Sequence, residues 1–291
     1  MNFHKRVIGH LFVFLLLTLS QLAAAEFDKG ILWQITKPGY QASYVLGTIH
    51  SDDPKVTNVP AAIQAKFKLA RSFAAELDLN MSSMLAAQQQ MLLPDGQNLQ
   101  SLIGAQRYSQ CVALLQNYGV PEMIVDRMKP WAIATQLSMP KPTSGIFLDL
   151  QLYQQAQQRG IPVHGLETVS EQMSVFTSMT TEQQLMMLDQ AIKDYPQLSQ
   201  YIGTLTQLYL QRDLQGMQRF SDEQMKKIDP RLAQTLETNL VVKRNHRMVE
   251  RMQPRLKEGG AFIAVGSLHL PGKQGILALL KQQGYQLTRV Y

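Results

Sequence analysis

Two apolar runs rich in β-branched residues, near opposite ends of this chain, finish in the same four-residue pattern. No other feature constrains the fold as much. Tyr44-Val45-Leu46 runs into Gly47-Thr48-Ile49-His50, and Phe262-Ile263-Ala264-Val265 runs into Gly266-Ser267-Leu268-His269. Each run reads as a buried strand whose histidine leaves at the carboxyl edge, where α/β proteins place ligands and chemistry. Taken singly, either histidine is equally well read as a strand-edge residue bonding a loop carbonyl. Taken as a pair at matching positions, the two can meet in one site.

The rest of the chain supplies elements for an α/β sheet. Ile31 to Thr36 and Ser43 to Leu46 read as a hairpin around Lys37-Pro38-Gly39. A short helix, Ala61 to Ala70, precedes a third strand, Ser72 to Leu77, which carries Glu76 and is followed by Asp78. Met81 to about Gly160 is rich in Gln, Met, Leu and Ala and broken by prolines and glycines, which predicts several short helices, Phe147 to Arg159 the clearest. Ile161 to Glu167 predicts a fourth strand ending in a carboxylate. Thr181 to Leu256 is helical in pattern, opens on a Thr181 and Gln184 capping signal and breaks near Pro196 and Asp229-Pro230. A strand, a helix and a strand close the chain at Ala261 to Val265, Gly275 to Gln283 and Tyr285 to Val290. The expected architecture is a single α/β domain over 26–291, a mixed β-sheet core with flanking helices and a large, mainly helical insertion at about 80–258.

Residues 1–25 carry Lys5 and Arg6, then the apolar stretch Leu11 to Leu19, then Ala23-Ala24-Ala25, the layout of a cleavable secretory signal. The apolar stretch is short for a bilayer span, and no later segment is long and apolar enough to make one. Export across an inner membrane to a periplasm is therefore expected. The formal charge of +6 is spread among interleaved acids and bases, which is no nucleic-acid footprint. The one cysteine, Cys111, excludes an intrachain disulfide and a thiolate metal cluster, and its helical context makes it a core residue. Oligomeric state is not written in the sequence.

His50, Glu76 and His269 each follow or end an inferred strand, so a parallel or mixed sheet can bring them together. Two imidazoles and a carboxylate suit a catalytic divalent metal, leaving one coordination position for water. The same groups suit a metal-free mechanism in which a histidine polarised by a glutamate deprotonates water. Asp78, Glu167 or His164 could add a ligand or a base. No Gly-x-Ser-x-Gly elbow and no His-Glu-x-x-His helix is present.

The chain resembles the TraB/GumN (PrgY-like) family, which is similar to the Tiki membrane-tethered metalloproteases. The resemblance is carried by Leu32-Trp33 with Tyr44 to His50, by Ala75-Glu76-Leu77-Asp78, by Gly165-Leu166-Glu167-Thr168, by Arg244-Asn245 with Met248, and by Ala264 to Leu270 followed by Gly272. It implies an α/β fold with a helical insertion and a metal-dependent hydrolase acting on a peptide or protein substrate. His50, Glu76 and His269 would be the ligands of a manganese- or cobalt-like ion, with zinc a further option. Glu167 or Asp78 would be a base or supporting group. Arg244 and Asn245 would orient the site or substrate, or act as structural hydrogen-bond donors. Erythromycin-esterase-like enzymes resemble the same core and imply the metal-free histidine base. From a different class, a catalytically silent protein that sequesters a peptide is also compatible with these residues.

Overall fold

The computed structural model describes residues 27–291, so the expected signal peptide at 1–25 lies outside the described residues. Six strands form one mixed sheet: β1 (Leu32–Thr36), β2 (Ser43–Thr48), β3 (Ser72–Leu77), β4 (Val163–Glu167), β5 (Ala261–Gly266) and β6 (Gln286–Arg289). Their spatial order is β4-β3-β5-β2-β1-β6. The first four in that order are mutually parallel, whereas β1 is antiparallel to both β2 and β6. Parallel neighbours need long crossovers, and the helices between β2 and β3, β3 and β4, and β4 and β5 supply them.

β3 spans the expected residues, but β2 and β5 run further than their apolar runs suggested. The two strands pair with each other to the end, Gly47 opposite Val265 and Thr48 opposite Gly266. The two Gly-x-x-His segments therefore leave the sheet side by side. A side chain at Gly47 would lie 2.8 Å from Leu270 Cδ1 and 2.9 Å from Ser267 Oγ. Glycine here lets the neighbouring motif approach this closely.

Side-chain alternation assigns the sheet faces. Phe73 and Phe262 both meet the ring of Phe67, edge to face, from helix Ala61–Lys68. Arg159, which caps helix Leu148–Gln158, donates to the carbonyls of Phe67, Lys68 and Ala70 and ties the two helices together on that face. The opposite face carries Glu76 and meets helix Lys243–Glu258, where Met248, Val249, Met252 and Leu256 are buried. A π-helical turn, Glu237–Val242, leads directly into that helix. A second apolar core lies wholly in the helical part. Trp131 stacks on Phe176 there at 5.0 Å, and Cys111 is buried as expected.

β4 divides the helical region into two stretches by entering the sheet beside β3. The capping box expected at Thr181 and Gln184 sits one residue earlier, at Thr180 and Gln183. Both pairs fit the Thr-x-x-Gln pattern, and the extended backbone of Thr180 decides between them.

Candidate active site

The carboxyl ends of β2, β3 and β5 meet at one edge, and each delivers one of the expected side chains. Glu76, at the end of β3, turns toward β5. Its Oε1 accepts the Gly266 N–H at 2.7 Å, and its Oε2 accepts from Arg244 Nη2 at 2.6 Å and Gln172 Nε2 at 3.2 Å. A side chain at Gly266 would sit 3.2 Å from Glu76 Oε1, so this glycine admits the carboxylate.

His269 faces Glu76 across 3.8 Å, Nε2 to Oε1. Its tautomer follows from its other neighbour. Asn245 donates Nδ2–H to the Gln274 carbonyl at 2.7 Å, which turns Asn245 Oδ1 toward His269 Nδ1 at 2.6 Å. His269 Nδ1 therefore carries the proton, and Nε2 presents a lone pair to a carboxylate oxygen. Two acceptors confront each other with no proton between them.

His50 is held differently. Its Nδ1–H donates to Asp149 Oδ2 at 3.1 Å, while Asp149 Oδ1 accepts from the Thr48 hydroxyl. Its side chain is 55% exposed, leaving Nε2 free in the cleft. Asp149 is delivered by a second tie between the same segments. Asp52 Oδ2 accepts the backbone N–H groups of Thr143, Ser144 and Gly145 at 2.6, 2.6 and 3.0 Å. This pins the loop that leads into helix Leu148–Gln158.

Charge separates the two histidines. The hydrogen bond to Asp149 outweighs desolvation and lifts His50 to about 9. Burial pushes His269 down to about 4, against the pull of Glu76. Burial alone would raise Glu76, but His269, charged in the acid range where Glu76 titrates, together with Arg244, His50 and the Gly266 N–H, outweighs it and holds the carboxyl down to about 2. At neutral pH, His50 is thus an imidazolium, His269 a neutral imidazole and Glu76 a carboxylate. Arg244 supplies the standing countercharge beside Glu76.

The remaining expected residues have fixed partners. Glu167, fully buried, accepts from Arg244 Nε at 2.8 Å and Arg247 Nη1 at 2.8 Å. Asp78 accepts from the Tyr153 hydroxyl at 2.7 Å and from Asn80 at 2.9 Å. His164 accepts from Arg255, and the exposed His246 ring meets the Gln274 side chain. Sequence reasoning missed Asp149, Asp52 and Gln172. It also passed over a usable signal: Arg244, Arg247, Arg251 and Arg255 recur at helical spacing and bond to Glu76 and Glu167, to Glu167, to Glu171 and to His164 in turn.

Two metal–ligand bonds of about 2.1 Å span up to about 4.2 Å, so the 3.8 Å between His269 Nε2 and Glu76 Oε1 is within reach of one ion. The third expected ligand, His50, is turned to Asp149. Among the described residues, no three His, Cys, Asp or Glu side chains are gathered into a ligand set. The pair fits a metal, but the full three-ligand set is not assembled.

His50, Glu76, Asp149 and Gln172 line a cleft of about 350 Å³. The chain belongs to the TraB/PrgY/gumN family, whose sequence model matches residues 31–289. It is 24% identical to Metalloprotease TIKI2 of Danio rerio over 316 aligned residues, which cover 89% of this chain and 60% of that protein. It is likewise 24% identical to Metalloprotease TIKI1 of Danio rerio, over 89% of this chain and 63% of that protein. The chain thus spans somewhat over half the length of these relatives. Protein YbaP of Shigella flexneri is 23% identical and is matched over 99% of its own length and 92% of this chain. No solved structure matches the chain. No helix among the described residues is long and apolar enough to cross a membrane.

Proposed function

We propose that this protein is an exported hydrolase of peptide bonds with His50, Glu76 and His269 at its reactive centre. The observation that carries the reading is the confrontation of a neutral His269 Nε2 and the Glu76 carboxylate at the strand edge, beside an open cleft that also holds His50. A water seated there is polarised by Glu76 and gives a proton to His269 Nε2. Its oxygen then bonds to the substrate carbonyl carbon. The C–N bond breaks, and the leaving nitrogen takes a proton from His50, which Asp149 keeps charged. Environments that push two histidines apart in this way separate a base from an acid.

Glu76 and His269 would hold a divalent metal, which when bound supplies Lewis acidity and a more acidic water. Asn245 keeps the His269 lone pair available under either regime, and Glu167 anchors Arg244 rather than serving as a base. Peptide specificity and metal dependence are suggested by the TIKI relatives, which are named metalloproteases. Export, with residues 1–25 removed and 26–291 forming the working domain, is suggested by the signal-like leader.

The test compares wild type with His50→Ala and His269→Ala on internally quenched peptides, after chelation and after return of manganese, cobalt or zinc. Wild type should cleave many equivalents, and each variant should lose at least about 100-fold in kcat/KM, within the range of acid–base contributions. Full turnover by His269→Ala, or consumption that stops at one equivalent of peptide, would sink the reading. Activity that survives chelation would show that the two histidines act without an ion.

A further inference from the structure

The cleft beside His50 and Glu76 has an apolar lining as well as a polar one. Ala75, Leu77, Leu79, Met84, Phe147 and Leu150 form an apolar wall in it beside the polar groups. The apolar wall does not end at the cleft. Met84 belongs to helix Met81–Gln90, none of whose residues is buried, and its neighbours Met81 and Leu85 are exposed on the same helix. Met84 itself is 51% exposed, although it lines the cleft. A helix that leaves methionine and leucine open beside a reactive centre has apolar surface still to bury when something occupies the cleft. Methionine suits such a wall, because its unbranched, polarisable side chain adapts to different partners.

The floor of this wall is rigid. Leu77 ends β3 one residue after Glu76, so the apolar surface and the carboxylate are fixed to each other by one strand. Phe147 and Leu150 flank Asp149, and the loop before them is pinned by Asp52, so the other side is fixed to the partner of His50. Distance from the apolar wall to the reacting groups is therefore built into the fold.

We propose that this apolar wall is the seat of one bulky apolar side chain of a peptide substrate, adjacent to the bond presented to His50 and Glu76. The inference rests on the peptidase reading above and adds to it the chemical class of the neighbouring residue. The occupant is an apolar amino-acid side chain because the apolar lining and the polar groups that would attack the peptide backbone belong to one cleft, and because that cleft, about 350 Å³, has the volume of a small-ligand site. An apolar seat of this kind discriminates by roughly 10- to 100-fold between a leucine and a small polar residue.

The test uses fluorescein-labelled octapeptides that differ only at one central position, Leu, Phe, Ser or Asp. Binding is followed by polarisation on the His50→Ala protein, so that turnover does not interfere. The same four sequences, made as quenched substrates, are run on wild type. Leu and Phe peptides should bind at least about tenfold more tightly than Ser and Asp peptides. Met84→Asp, placed on an exposed helix face that tolerates charge, should erase the preference while its circular dichroism and melting temperature match the parent. Phe147→Ala should reduce the preference in the same direction.

Equal binding of all four peptides, a preference for Ser or Asp, or an unchanged preference in a folded Met84→Asp protein would overturn the inference. Cleavage without a preference would reject this seat and leave the peptidase reading standing. Preferential binding without cleavage by wild type would keep the seat and reject the peptidase reading. Failure of every peptide to bind would reject both.

Discussion

Arg244 is the side chain on which the charge of the site depends, and its removal has a consequence that can be worked from the structure. The guanidinium is 8% exposed and bonds to Glu76, 11% exposed, at 2.6 Å and to Glu167, 0% exposed, at 2.8 Å. Arg244→Met keeps much of the side-chain volume but leaves two buried carboxylates short of a partner. Glu167 retains Arg247, and Glu76 retains the Gly266 N–H and Gln172, so the loss falls at the lower end of the range for a broken buried pair, about 3 kcal/mol. For a chain of this size that is a fall in Tm of about 5 °C.

Urea unfolding at pH 7 measures the change, and the double variant Arg244→Met/Glu76→Gln isolates its cause. With the Glu76 charge gone, the double variant should recover about half of the loss or more. The pH dependence supplies a second readout. Glu76 is held at about 2 in the folded protein, so its stabilising contribution is present above the ordinary glutamate range and fades as pH falls through about 2. Without Arg244 the folded carboxyl titrates higher, so the contribution is smaller and its fading is complete at a higher pH than in wild type. A single variant within about 1 kcal/mol of wild type, or a double variant no more stable than the single, would refute the argument.

Two further outcomes follow from groups around the same edge. Asn245→Leu strands the buried His269 Nδ1–H and should destabilise by about 1–3 kcal/mol, while proton NMR of the imidazole shows loss of the single fixed tautomer. Asp52→Asn weakens the charge-assisted bonds that pin the loop at 143–145 by about 1.5–3 kcal/mol, so thermolysin should cut at Gly145-Ile146 at least about tenfold faster. Although burial opposes it, the N–H groups of Ser144, Gly145 and Thr143 depress the Asp52 carboxyl, so its contribution is present above the ordinary aspartate range and lost as pH falls through the depressed value. Acid should therefore loosen the loop in wild type, with less further effect in Asp52→Asn.

Several elements of this molecule are legible residue by residue. Ser72 to Leu77 reads correctly as β3 because an apolar run between turn signals has little else to be. The helix after Phe147 reads to within a residue at each end, its stop marked by Gly160 just beyond it. The ends of β2 and β5 were not legible, because glycine is a poor strand former alone, and only mutual pairing extends the strands through Gly47 and Gly266. Asp149 was overlooked because a carboxylate in the first turn of a helix already has an explanation in the helix dipole. Its bond to His50 spans 99 residues of sequence. Glu167 reads in the sequence as an accessory ligand or base at a strand end, and only the arginine face of helix Lys243–Glu258 brought against it supplies its two fixed partners.

Sequence alone determined which side chains reach the sheet edge: apolar period and turn chemistry fix strand direction locally, and a residue beyond a strand must emerge at its end. It thereby placed His50, Glu76 and His269 at carboxyl ends. Tertiary structure alone decided that β5 lies between β2 and β3, that Asn245 holds the proton of His269 away from Glu76, and that Asp149 holds one on His50. Strand patterning is a property of neighbours along the chain. Protonation and ligand geometry depend on burial and on charges brought together across it, and only the folded sheet sets those distances.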